Sequence, residues 1–225
     1  QSIFTPAISK ALEVTEPEGK GFLIIGGNRF ARELAEVFVK NDIEVIITDS
    51  SWGNVQKCRQ LGLNTYYGSP VSIHADWSIN LVGIGAMLGL STSEYVNAVS
   101  AMKYKHEFGA SSTYVLRAAQ KESYKGILSI ETNLATLLFE EGIDFNVLID
   151  RLNQGASIRS TNITPNYTLE NFFIDNVDAI ALFVLDANGY AQPFVKGKKI
   201  KLETYSLISL RDDVKENKNQ LCLEV

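Results

Sequence analysis

Gly26 and Gly27 follow the apolar run Leu23-Ile24-Ile25 and lead straight into a helical pattern. In that pattern Phe30, Leu34 and Val37 recur at helix spacing, with Ala31, Ala35 and Phe38 beside them. A glycine turn between a strand and a helix can hold a phosphate at the helix N-terminus, and an acid ending the next strand can accept ribose hydroxyls. Asp49 stands at such a place, closing the β-branched run IEVIITD at 43–49. In the fingerprint G-x-G-x-x-G, Gly26 fills the first position and Ala31 is an accepted substitute at the third, but Asn28 occupies the second. Asn visits left-handed geometry more easily than most residues, so the turn can form with its side chain in space near the phosphate. The competing reading is purely structural: the two glycines serve only the turn, and Asp49 only caps the next helix.

Residues for chemistry beyond binding are scarce. None of the nine tyrosines is followed four residues later by lysine, so the Tyr/Lys pair of short-chain dehydrogenases is missing. His74 and His106 are the two histidines; His106 falls in the polar last turn of a helical stretch, where the helix dipole favours it, and His74 has no evident carboxylate partner. No G-x-S-x-G, H-E-x-x-H or P-loop pattern occurs. No catalytic residue and no metal ligand set is expected, and the chain is read as a non-enzyme.

Composition narrows the partners. The chain has 225 residues, 45% of them hydrophobic, which supports a normal core in one large or two ordinary domains. A net charge of −5, from 21 basic and 26 acidic residues, argues against a nucleic-acid polymer, which needs a dense basic face. It leaves room for a mononucleotide. Cys58 and Cys222 are far apart and in no ligand spacing, so a disulfide scaffold or zinc site is not expected and a reducing cytoplasm is the default. The longest apolar stretch, LVGIGAMLGL at 81–90, is too short to span a bilayer, and no signal peptide is visible. A start at Gln1 rather than Met is read as a piece of something longer.

The elements that must position the glycine turn alternate regularly. Residues 1–19 read as a linker. Strands are expected at 20–25, 43–49, 64–70, 85–90 and 112–116, with helices at 28–40, 52–62 and 91–109, the last with Ser/Thr caps; 71–80 is ambiguous. Such alternation predicts an α/β fold with a Rossmann-like parallel sheet over 20–119. The pattern changes near 118–125, and 120–225 reads as a smaller α+β module. It holds a strand at 126–130, helical pieces at 132–141 and 144–153, a strand at 156–164 and a short helix at 169–175. A hairpin follows at 179–195, with Asn188-Gly189 as left-handed turn residues, then a last strand at 201–210 and a charged tail.

Three stretches carry a resemblance: GFLIIGGNRFARELAEVF, VIITDSSWGNVQKCRQLGLNTYYGSP and IGAMLGLSTSEYVNAVSAMKYKHEFG. They resemble the cytoplasmic regulatory region of bacterial sodium/proton antiporters, which begins with a TrkA-N domain, the nucleotide-binding lobe also called RCK. The stretch GASIRSTNIT, followed by LENFF and ALFVLDANGY, is similar to the module after it. The resemblance covers about 20–210 and is most specific around Trp52-Gly53-Asn54-Val55. It places the family's glycine-rich turn on Gly26, Gly27, Asn28, Arg29, Phe30 and Ala31, its acidic strand end on Asp49 with Ser50 beside it, the glycine closing its third strand on Gly68, and the Ser/Thr after its fourth strand on Ser91 and Thr92. Ser69 stands where RCK domains often have Asp, and with Asn28 it departs from a standard dinucleotide pose. The resemblance implies an adenine nucleotide ligand (AMP, ADP, ATP or NAD(H)) and a homodimer. It also implies attachment to a transmembrane sodium or potassium/proton antiporter domain of the same polypeptide, at the cytoplasmic face of the inner membrane. A free-standing NAD(P)-dependent oxidoreductase is the alternative.

Overall fold

The computed structural model describes residues 19–117, 135–195, 200 and 203–212. Its first half runs β1 (Gly21–Ile25), α1 (Arg29–Lys40), β2 (Val45–Asp49), α2 (Trp52–Gln60), β3 (Asn64–Tyr67), α3 (Ile73–Ser78), β4 (Ile84–Gly89), α4 (Glu94–Phe108) and β5 (Thr113–Val115). With β6 (Thr136–Leu137) these strands form one parallel sheet in the order β3-β2-β1-β4-β5-β6. The fold is the α/β, Rossmann-like one expected. β1 is buried at every position because helices cover both sheet faces, which is why it reads as an unbroken apolar run. Phe22 and Ile24 point to one layer, and Leu23 and Ile25 to the other, where Ala101 and Tyr104 of α4 meet them.

The second half runs α5 (Phe145–Asn153), β7 (Ala156–Ile163), α6 (Leu169–Asp175), β8 (Ile180–Leu185), β9 (Ala191–Pro193) and β10 (Tyr205–Asp212). Its four strands pair antiparallel in the order β7-β10-β8-β9. β10 is central and buried on both sides: Ile208 and Leu210 join the large core, while Tyr205 and Leu207 pack with Phe172 of α6.

Helix α1 lies between the two sheets. It buries Phe30, Ala31, Leu34, Ala35, Val37 and Phe38, a stripe wider than one sheet needs, and it packs against β7 and α5 as well as β2. Phe183 of β8 closes the sandwich: its ring meets Phe38 edge-on at 5.0 Å, Phe22 at 5.9 Å and Phe139 at 6.1 Å. One continuous core therefore joins the first sheet to the second.

Four local expectations change. Residues 136–137, expected within a helix, add the sixth strand to the parallel sheet, because Val115 and Tyr114 offer a free edge there. The ambiguous stretch holds a short helix, α3, whose N-cap Ser72 accepts from the Ala75 amide. Helix α4 begins at Glu94 with Ser93 as its cap, later than 91, since Ser91 is held in the preceding loop. In the hairpin only Gly189 is left-handed (φ +83°); Asp186 builds the turn instead, its Oδ1 accepting from the Asn188 and Tyr190 amides. The boundary expected near 118–125, the linker over 1–18, the strand at 126–130 and the tail beyond 212 fall outside the described residues.

Candidate functional site

The sheet order reverses beside β1: β2 and β3 lie on one side, β4 to β6 on the other. In open α/β sheets a ligand site forms at the carboxyl ends of the strands at such a reversal. A cleft of about 320 Å³ lies there, lined from the ends of β1, β2, β3 and β4. Of the expected site residues it brings together Gly26, Asn28, Asp49, Ser50, Ser69, Ser91 and Thr92.

Gly26 is where the geometry is tightest. Its φ is +100°, and a Cβ would stand 2.7 Å from the Ser91 Cα and 2.8 Å from the Ser91 N, so no side chain fits between the first turn and the loop after β4. Gly27 donates its amide to Asp49 Oδ2 at 2.7 Å, and Cys58 Sγ lies under it, 3.1 Å from where a Cβ would be. Burial pushes that thiol's pKa up, which leaves it a packing group rather than a nucleophile.

Asn28 is not left-handed, as the sequence reading allowed. It is extended (φ −68°, ψ 177°) and caps α1: Oδ1 accepts from the Ala31 amide at 3.1 Å, and Nδ2 donates to the Leu90 carbonyl at 2.6 Å. N-cap residues take the β region because only there does the side chain reach back to the first-turn amides. The left-handed step that the turn needs is taken by Gly26 instead.

Asp49 does more within the protein than the sequence reading gave it. Oδ2 accepts from Gly27 N and from Asn54 Nδ2 at 2.8 Å, and Oδ1 accepts from Ser51 N at 2.7 Å. A carboxylate has about four acceptor positions, so one remains, on Oδ1, for a single hydroxyl. On the opposite wall, buried Asn97 clamps Ser91 from both sides, its Oδ1 accepting from the Ser91 amide and its Nδ2 donating to the Ser91 carbonyl, each at 2.9 Å. Thr48 is wholly buried at the cleft wall, and its hydroxyl has no partner.

The other expected residues turn away. Phe30 and Ala31 are core residues at 0% exposure. Arg29 pairs with Glu33 at 2.8 Å and donates to Asn153 Oδ1 of α5 at 3.2 Å. Gly68 (φ +148°) ties β3 to β2 through its amide and the Asp49 carbonyl. Sequence reasoning missed Asn54, Asn97 and Thr48. Asn54 was within reach, lying in the first turn of the helix after the acidic strand end; Asn97 carries no local signal, since a polar residue inside a helix shows its burial only in the fold.

His74 lies outside the cleft, its Nδ1 within hydrogen-bond distance of Tyr66 Oη (3.0 Å) and Ser78 Oγ (3.2 Å). Among the described residues no group of His, Cys, Asp and Glu gathers as a metal site, and no helix is long and apolar enough to cross a membrane.

No curated protein matches the chain. Among solved structures it is similar to the NAD(P)-binding domain of an exopolyphosphatase-related protein from Archaeoglobus fulgidus, at 15% identity over 60% of this chain and 98% of that one, TM-score 0.45. It is also similar to the GsuK channel bound to NAD (11% identity, 93% of this chain and 41% of that one, TM-score 0.42) and to the GsuK RCK domain (13%, 92% and 50%, TM-score 0.41). The chain thus spans half or less of those GsuK chains, and TM-scores below 0.5 make all three loose likenesses. The model of the TrkA-N domain matches residues 22–138, more than half of the sequence, and the chain belongs to that family.

Proposed function

We propose that this chain is the nucleotide-sensing regulatory part of a monovalent cation (sodium or potassium)/proton antiporter, acting as a homodimer at the cytoplasmic face of the membrane. The observation that carries the ligand half is the polar cleft at the strand-order reversal, with the α1 N-terminus on one side and the Asp49 carboxylate on another. Asn28 caps the Ala31 amide, and the Arg29 and Phe30 amides before it have no acceptor within the helix, which suits an anion. Membership in the TrkA-N family and the antiporter resemblance of both halves support the transport role.

The proposal includes that the chain is not an enzyme. The titratable side chain in the cleft is Asp49, whose oxygens already accept from three donors of the fold, which engages it as an anchor. We also propose that the chain divides near 118–125 into two units, 20–119 and 120–225, that share one core; limited proteolysis that spares 118–125 would count against that division.

Thermal shift with AMP, ADP, ATP, NAD and NADH tests the ligand half. A ligand at about 100 times its Kd stabilises by about 2.7 kcal/mol, which raises Tm by roughly 5–10 °C in a chain of this size. No shift with any of them sinks the nucleotide reading. The parent gene should encode a series of hydrophobic spans upstream of Gln1, and a reading frame without them sinks the transporter reading. Light scattering that gives a monomer at high micromolar concentration removes the dimer.

A further inference from the structure

We infer that the cleft takes a nucleoside monophosphate and shuts out dinucleotides; this rests on the nucleotide reading above. A dinucleotide in a doubly wound sheet crosses from one half to the other between the turn after β1 and the loop after β4. In this chain that crossing is bridged. The Asn28 side chain fills it, tied at one end to the Ala31 amide and at the other to the Leu90 carbonyl, 3.1 and 2.6 Å away. Behind it, Gly26 already touches the Ser91 backbone. A pyrophosphate could pass only by breaking both bonds of the cap.

Charge points the same way. Among the described residues no Lys, Arg or His lines the cleft, and Asp49 does. Neither guanidinium near the start of α1 lines the cleft: Arg29 pairs with Glu33 and Asn153, and Arg32 holds the Gly27 carbonyl of the turn itself at 2.5 Å. One phosphate can be met by the amides and dipole at the α1 N-terminus. A second would add negative charge near a carboxylate, with no cation in the cleft lining to offset it. Thr48, whose buried hydroxyl has no hydrogen-bond partner, belongs to the same wall. The spare acceptor of Asp49 Oδ1 suits one ribose hydroxyl, and Pro70 with Val96 gives an apolar flank for a base.

Calorimetry on the 225-residue chain, without divalent cations, compares adenosine, AMP, ADP and NAD. AMP should bind at least about tenfold more tightly than NAD, a difference of about 1.4 kcal/mol, and more tightly than adenosine or ADP. Asn28→Ser keeps a capping hydroxyl but gives up the Leu90 bridge, and Asn28→Gly removes the side chain altogether; N-cap glycine costs only a few tenths of a kcal/mol, so both should fold. In each the NAD/AMP affinity ratio should rise. NAD binding as tightly as AMP to the native chain, adenosine as tightly as AMP, or an unchanged ratio in both variants overturns the inference while the nucleotide reading stands. Binding of none of the four overturns the inference, and absence of a shift with ATP and NADH as well overturns the nucleotide reading.

Discussion

The two sheets each border a cavity of similar size, and the two cavities are built by different means. The cleft of the parallel sheet, about 320 Å³, is walled by turns, backbone and short polar side chains. The cavity beside the antiparallel sheet, about 280 Å³, is walled by side chains, Phe139, Ile143, Phe173, Val177 and Phe194 among them, with Glu140 the one charged group. In a parallel sheet every strand ends at the same edge, so loop backbones converge there whatever the side chains are. An antiparallel sheet has no such edge, and its hollow is shaped by the side chains packed around it, Phe173 and Phe194 in ring contact among them. The first cleft therefore offers short polar side chains beside its backbone, and the second offers aromatic and aliphatic side chains beside Glu140.

The largest break in that contrast should come from the ring that joins the two sheets. Phe183→Ala removes a fully buried side chain in contact with Phe22, Phe38 and Phe139, and should destabilise by about 3–5 kcal/mol. Tm should fall by roughly 10 °C, and circular dichroism should show both halves melting together. Separate transitions, with only one half affected, would mean that the shared core does not couple them.

Gly26→Ala attacks the backbone-built cleft directly. A Cβ there meets the Ser91 backbone and sits on a left-handed residue. The conformational cost is about 1–2 kcal/mol and overpacking adds about 1–3; denaturant melts that show less than 1 kcal/mol of change would mean that the loop after β4 yields freely. Asp49→Asn keeps the shape but turns its NH₂ group either toward the Ser51 amide or toward the Gly27 and Asn54 donors, while its oxygen serves the other side. A loss of about 1.5–3 kcal/mol is expected without any ligand present. A variant as stable as the native chain would return Asp49 to a purely ligand-facing role.

The smallest effect is a pH dependence at the outer face of the parallel sheet. Tyr104 donates to the Pro70 carbonyl at 2.9 Å, and burial pushes its pKa up to about 12. Because the folded value lies above the unfolded one, its contribution is complete below pH 10 and is lost as pH rises toward 12. Tyr104→Phe should therefore cost about 1 kcal/mol near neutrality, and the native chain's advantage should shrink between pH 10 and 12. Urea melts of both proteins across that range check it; a constant difference would show that the hydroxyl does not titrate with folding.

Much of this molecule is legible in one dimension. The run Phe22–Ile25, the spacing of Phe30, Leu34 and Phe38 and the position of Asp49 locate β1, α1 and β2 to within two residues, because hydrophobic period and strand ends are local properties. The parallel class follows from alternation alone. Short pieces fail: Thr136–Leu137 carries too few residues to show a period, and its strand exists only because β5 leaves an edge open.

What the sequence by itself determined is the ladder of elements, the turn at Gly26 and the acid at Asp49. Tertiary structure decided what those residues face. Asn28 is a cap and a bridge because the end of β4, 62 residues away, brings the Leu90 carbonyl to it. Asp49 is an anchor because Gly27, Ser51 and Asn54 converge on it, and α1 needs its broad apolar stripe because a second sheet lies on its far side. A residue's type sets which bonds it can make, but which partners arrive depends on loops brought together from distant parts of the chain, and no local pattern encodes that meeting.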